Sequence, residues 1–166
     1  CHRAGFPASP QSRHCLLVFK NHPLDPGLKR HDRYVANLAP ELSSELGDPS
    51  RVRFLETGHL PSLLDHAAGV VAVNSTTIGQ SLFHRCPTIA LGKSMFALPG
   101  LTFEGTLDDF WVRGREPDMV LFKAFRQVVI HATQINGGLY SKRGIDLCVT
   151  NSLPRLLAKE GKLEAL

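Results

Sequence analysis

Three short polar clusters carry the residue types in this chain that could do chemistry. They are Lys20-Asn21-His22-Pro23, Gly58-His59 and Asn74-Ser75-Thr76-Thr77, each placed just after an apolar run. In open α/β sheets ligands bind beyond the carboxyl ends of the strands, which is where these clusters would fall. His22 could donate to a phosphate oxygen with Lys20 adding charge; the plainer alternative is a stiff His-Pro turn. Ser75, Thr76 and Thr77 would bring hydroxyls and backbone N–H groups to a helix start, where the macrodipole favours an anion. The same residues also make good N-caps, and both readings stay open. Neither GxxxxGK[ST] nor GxGxxG occurs, so the pattern favours a mononucleotide over NAD binding or ATP hydrolysis.

Other chemistries find less support. The 8 histidines lack ligand spacing, and Cys1, Cys15, Cys86 and Cys148 form no CxxC pair, so neither a metal nor a cofactor is expected. Cys15, Cys86 and Cys148 lie in apolar surroundings and read as reduced, small hydrophobes in a cytoplasmic protein. A net charge of +4 mildly favours anionic partners. The basic stretches Lys29-Arg30-His31 and Arg51/Arg53 have no interleaved aromatics, so nucleic acid is not an expected partner.

The elements that must position the clusters alternate. Leu16 to Phe19 reads as a buried strand, residues 28–46 as a helix that Pro40 should bend or split, and Arg51 to Leu55 as a second strand. Pro61 suits the first turn of a helix reaching Ala67 or Ala68. Gly69 to Val73 is apolar on both faces, as a covered parallel strand must be. A helix from Ile78 to Arg85 and a strand from Pro87 to Leu91 follow. This alternation predicts an α/β fold whose first half is one parallel sheet of at least four strands with flanking helices. Met119 to His131 and Gly144 to Leu157 read as helices, so residues 1–112 are expected to form a Rossmann-like core and 113–166 a helical extension of a single domain.

The chain also resembles a known family. Residues 19–27, Gly58-His59-Leu60-Pro61, residues 71–77, Leu91-Gly92, Pro99-Gly100-Leu101-Thr102, Leu107-Asp108-Asp109-Phe110-Trp111 and residues 133–140 look like successive blocks of the capsule polysaccharide biosynthesis family. The match runs in order from about Leu16 to Gly144, and it resembles the capsule export and lipid-linker type, which places the first β-Kdo on a phosphatidylglycerol anchor. The resemblance implies the C-terminal, donor-binding half of a GT-B glycosyltransferase. It further implies CMP-Kdo as donor, a lipid or oligosaccharide acceptor, and a place at the cytoplasmic face of the inner membrane, with the capsule export complex as a partner.

Carried over, His22 and Ser75, Thr76 and Thr77 would contact the CMP phosphate, with Lys20 and Asn74 nearby. Gly58 and His59 would lie close to the base or ribose, and His22 would offset charge on the departing CMP. On this reading the chain is a fragment of a longer protein whose N-terminal acceptor domain, with the general base, is missing, and which is inactive on its own. The first dozen residues are expected to be linker or a damaged first strand, irregular from Gly5 to Arg13, where two prolines fall. Two other functions remain: a GT-B enzyme using a UDP-sugar, for which Glu104 is the candidate ribose-gripping carboxylate, and a non-catalytic assembly domain of the export machinery.

Overall fold

In the computed structural model, which describes residues 16–22, 27–46 and 49–158, the apolar runs pair as parallel strands. β1 (Leu17–Lys20) lies beside β2 (Val52–Leu55), with Leu17 opposite Val52 and Lys20 opposite Leu55. β3 (Val70–Ala72) lies beside β4 (Thr88–Ala90), with Val70 opposite Thr88 and Ala72 opposite Ala90. The connections carry α1 (His31–Leu46), α2 (Leu60–His66) and α3 (Thr77–Phe83). α4 (Leu107–Arg113), α5 (Met119–Thr133) and α6 (Lys142–Leu157) follow. The expected segment before Leu16, the loop at 23–26, the turn at Gly47-Asp48, and Cys1 and Cys15 lie outside the described residues.

One expectation is corrected outright. The described strands form two separate two-stranded parallel sheets, not one sheet of four or more. Leu16 to Phe19 reads as a buried strand and Gly69 to Val73 as one covered on both faces, yet Val18 and Phe19 in β1 and Val71 in β3 remain exposed. An apolar run makes a strand stable once it has neighbours, but it does not supply them. Pro40 also fails to split its helix: α1 runs through it, losing one ladder hydrogen bond.

The chain divides into two compact units, Cys1–Asp118 and Met119–Leu166. In the first, α3 packs on both β3 and β4. Ile78 and Leu82, one turn apart on α3, are fully buried, with Ile89 of β4, Leu64 of α2 and Cys86 also in the core. Gly79 lets the Phe96 ring close on α3, since an added Cβ would lie 2.8 Å from it. α4 starts with a reciprocal cap: Thr106 Oγ1 accepts the Asp109 N–H at 3.1 Å and donates to Asp109 Oδ2 at 2.8 Å. The Thr106 hydroxyl, then Arg113, hold the Asp109 carboxyl below its usual range. In the second unit, Ser141 caps α6, and Asn151 Nδ2 donates to Asn136 O at 2.9 Å. A Cβ on Gly137 would lie 2.5 Å from the Cys148 backbone, so this loop meets α6 through a glycine.

α3 ends in a Schellman turn. Arg85 N–H donates to Leu82 O at 3.0 Å and Cys86 N–H to Ser81 O at 2.9 Å, with Arg85 at φ +56° where glycine is usual.

The buried polar link between α3 and β4 is a hydroxyl relay. Ser81 Oγ and Thr88 Oγ1 stand 2.7 Å apart, Ser81 Oγ is 2.8 Å from Ile78 O, and Thr88 Oγ1 is 2.8 Å from Cys86 O. Two hydroxyl protons cannot serve three contacts. Ile78 O already belongs to the helical ladder, so the arrangement that satisfies most groups runs from Ser81 to Thr88 to the Cys86 carbonyl. Thr88→Val keeps the shape and removes the relay. It should cost about 1–3 kcal/mol, read as a lower denaturation midpoint with an unchanged slope; an unchanged midpoint would show that the relay contributes nothing.

Candidate functional site

The parallel register of β1 and β2 brings the first two polar clusters to the same end of one strand pair. Lys20 is opposite Leu55, and the ladder continues past the strand when Asn21 N–H donates to Leu55 O at 2.8 Å. His22 on one side and Glu56 to His59 on the other therefore leave the pair together at its carboxyl edge.

Local bonds set these side chains. Asn21 Oδ1 accepts the His22 backbone N–H at 2.9 Å, which fixes the chain direction just before the imidazole. Lys20 is half-buried, and its Nζ donates to Asn21 O at 3.0 Å. His22 itself is exposed. His59 is the N-cap residue of α2 but makes no cap with its side chain; its Nδ1 lies 2.9 Å from Ser62 Oγ, leaving Nε2 as the ring atom available to a ligand. Gly58 is exposed, and a Cβ there would meet only Leu63 and Leu55 at ordinary contact distances. Its surroundings therefore do not demand glycine. Asn21, which residue types mark only as part of its cluster, is thus the residue that orients the chain at His22.

The third cluster belongs to the other pair. Val73 follows β3, and the two strands stay joined beyond their ends: Leu91 N–H donates to Ala72 O at 2.8 Å and Gly92 N–H to Val73 O at 2.9 Å. Asn74 to Thr77 thus leave the carboxyl edge of this pair beside Gly92 and Lys93. The cluster's own bonds divide the labour among its hydroxyls. Ser75 Oγ accepts the Thr77 N–H at 3.1 Å and lies 3.0 Å from Thr77 Oγ1, to which it donates. Thr76, formally the N-cap of α3, makes no side-chain cap. The capping role falls to Ser75, while Thr76 is exposed and Asn74 is exposed.

Glu104 lies at the opposite end of the same pair. The neighbouring Phe103 N–H donates to the carbonyl of Thr88, the first residue of β4, at 2.8 Å. Phe110 packs against Phe103 with ring centroids 5.6 Å apart and closes on Gly69, where an added Cβ would lie 3.0 Å from its ring. Residues 103–111 therefore run along the amino edge. A carboxylate there is poorly placed to grip a nucleotide held at the carboxyl edge. Among the described residues, no group of three or more His, Cys, Asp or Glu is placed to hold a metal ion, and no helix is long and apolar enough to cross a membrane.

Comparison with known proteins gives consistent results. Residues 8–140 match the family described as capsule polysaccharide biosynthesis protein. The chain is 38% identical over 124 residues to the capsule polysaccharide export protein KpsS of Escherichia coli, covering 75% of this chain and 31% of that protein. It is 35% identical over 126 residues to the capsule polysaccharide modification protein LipB of Neisseria meningitidis serogroup A, covering 76% of this chain and 29% of that protein. The same values hold for LipB of serogroup B. The chain thus spans less than a third of the length of these relatives. No solved structure matches it.

The hydroxyl assignments separate scaffold from site. Ser75→Ala should lower stability by about 1 kcal/mol through loss of its bond to the Thr77 N–H, whereas Thr76→Ala should change it by less than about 0.5 kcal/mol. Thermal melts of the two variants check this; equal losses would contradict the division.

Proposed function

The chain belongs to the capsule polysaccharide biosynthesis protein family, and from that membership we propose that it is the donor-binding part of a capsule glycosyltransferase that takes Kdo from CMP-Kdo. On this reading the acceptor is a phosphatidylglycerol-type lipid or a saccharide. The chain is the C-terminal half of a GT-B enzyme working at the cytoplasmic face of the inner membrane, beside the export machinery.

The observation that carries the reading is the strand register. It delivers Lys20 and His22 together with Gly58 and His59 to one carboxyl edge, and Asn74, Ser75, Thr76 and Thr77 to the carboxyl edge of the second pair. Those are the places where open α/β sheets take ligands, and these polar groups suit a nucleoside monophosphate. In the reaction the acceptor hydroxyl oxygen bonds to the anomeric carbon of Kdo as the bond from that carbon to the phosphate oxygen breaks. CMP leaves with the electron pair, and the hydroxyl proton passes to a base in the remainder of the longer protein. The donor is already activated, so the residues here serve mainly to orient it and to offset charge growing on the phosphate. His22 takes that last role, and Thr76 and Thr77 hold the phosphate in the ground state.

Two substitutions in the full-length protein test the proposal. His22 is exposed, so His22→Ala should leave the melting temperature nearly unchanged. Transfer should fall about 100-fold or more, and CMP-Kdo affinity should fall less than turnover. Thr77→Ala should weaken CMP binding by about 1–3 kcal/mol. A large drop in melting temperature with normal activity per folded molecule would remove His22 from the chemistry. Binding of UDP in preference to CMP would move the protein to another donor class, and binding of neither would favour the assembly role.

A further inference from the structure

An anion at the β3–β4 edge needs a charge that the Ser/Thr cluster does not carry. Its hydroxyls are neutral, and one of their protons is already spent between Ser75 Oγ and Thr77 Oγ1, 3.0 Å apart. α3 has only 7 residues, too short for its backbone dipole to stand in for a cation. From β3 to Gly100 the sequence has two basic side chains of fixed charge, Arg85 and Lys93. Arg85 closes the far end of α3.

Lys93 is bracketed on both sides by tight contacts with the segment that holds the cluster. On one side Gly92 N–H is bonded to Val73 O at 2.9 Å. The approach is so close that a Cβ on Gly92 would lie 2.8 Å from Val73 Cγ1 and 3.1 Å from Val73 O. On the other side Phe96 presses on Gly79, whose own N–H donates to Thr76 O at 3.0 Å. The short loop between these two clamps must run alongside residues 74–79. Lys93 is exposed there and makes no hydrogen bond or ion pair among the described residues.

We propose that Lys93 is the cation of this edge, binding the phosphate of the nucleotide held over Asn74, Thr76 and Thr77. The proposal rests on the donor-binding reading above and adds a residue to it. Gly92 is the positioning residue, because only a glycine allows the loop to meet Val73 so closely.

The test uses the full-length protein and equilibrium titration with CMP and with cytidine, which lacks the phosphate. Lys93→Ala should weaken CMP binding roughly tenfold and leave cytidine binding unchanged, while Lys93→Arg should recover most of the loss. The ratio between wild type and Lys93→Ala should shrink towards one as salt is raised, as an exposed charge contact requires and a packing effect does not. If wild type binds CMP and Lys93→Ala binds it equally well, the role of Lys93 is overturned while the donor reading stands. If wild type binds no CMP, both fall together. Equal losses for CMP and cytidine would also overturn the proposal, since they would mark a change in the loop and not a missing charge.

Discussion

Everything at the β3–β4 edge depends on how α3 is held, and that is decided by two hydroxyls with no access to water. Ser81 and Thr88 are fully buried, in a region otherwise filled by Ile78, Leu82 and Ile89. Hydrophobic burial presses the helix onto the strands but is indifferent to sliding. A directional relay ending on the Cys86 carbonyl is not, because any shift leaves a polar group unsatisfied in an apolar setting. The relay therefore fixes the helix along its axis, and with it the turn at Ser75, Thr76 and Thr77.

Positioning at the two edges comes from strand register more than from the core. Parallel pairing sends both strands of a pair out at the same end, so residues more than thirty apart in sequence, His22 and His59, leave β1 and β2 side by side. In both pairs the bonding runs on past the last paired residue, through Asn21 in one and through Leu91 and Gly92 in the other. These extra bonds carry order from the strands into the loops that hold the candidate side chains. The aromatic cluster of Phe103, Phe110 and Trp111 occupies the other end of the β3–β4 pair. Aromatic packing and the candidate polar groups are thus divided between opposite ends of the same strands.

Much of this was legible in the residues. Apolar runs of four or five marked the strands, their separation by helical segments implied parallel pairing, and the polar residues after each run marked the edge. What was not legible depended on contacts distant in sequence. The separation of the strands into two pairs, with Val18, Phe19 and Val71 left exposed, is recorded in no local pattern. α4 was missed as an element because its start is a cap between Thr106 and Asp109, a signal easily lost beside the family motif it overlaps. Glu104 looked well placed from its position after the last strand, yet the chain doubles back before it, and only the bond from Phe103 to Thr88 shows this. Ser75 and Thr76 are adjacent and alike in type; geometry alone assigns capping to the first.

Arg85 has a consequence of a different kind. A side-chain-bearing residue held in a left-handed conformation is strained by about 1 kcal/mol or more relative to glycine, and this one lies at the end of α3 remote from the Ser/Thr turn. The scaffold thus holds unused conformational free energy where no candidate ligand group depends on it. Relieving that strain gives an engineer a sturdier background in which the candidate edge can be varied without losing the fold, and evolution has the same reserve within a single codon change.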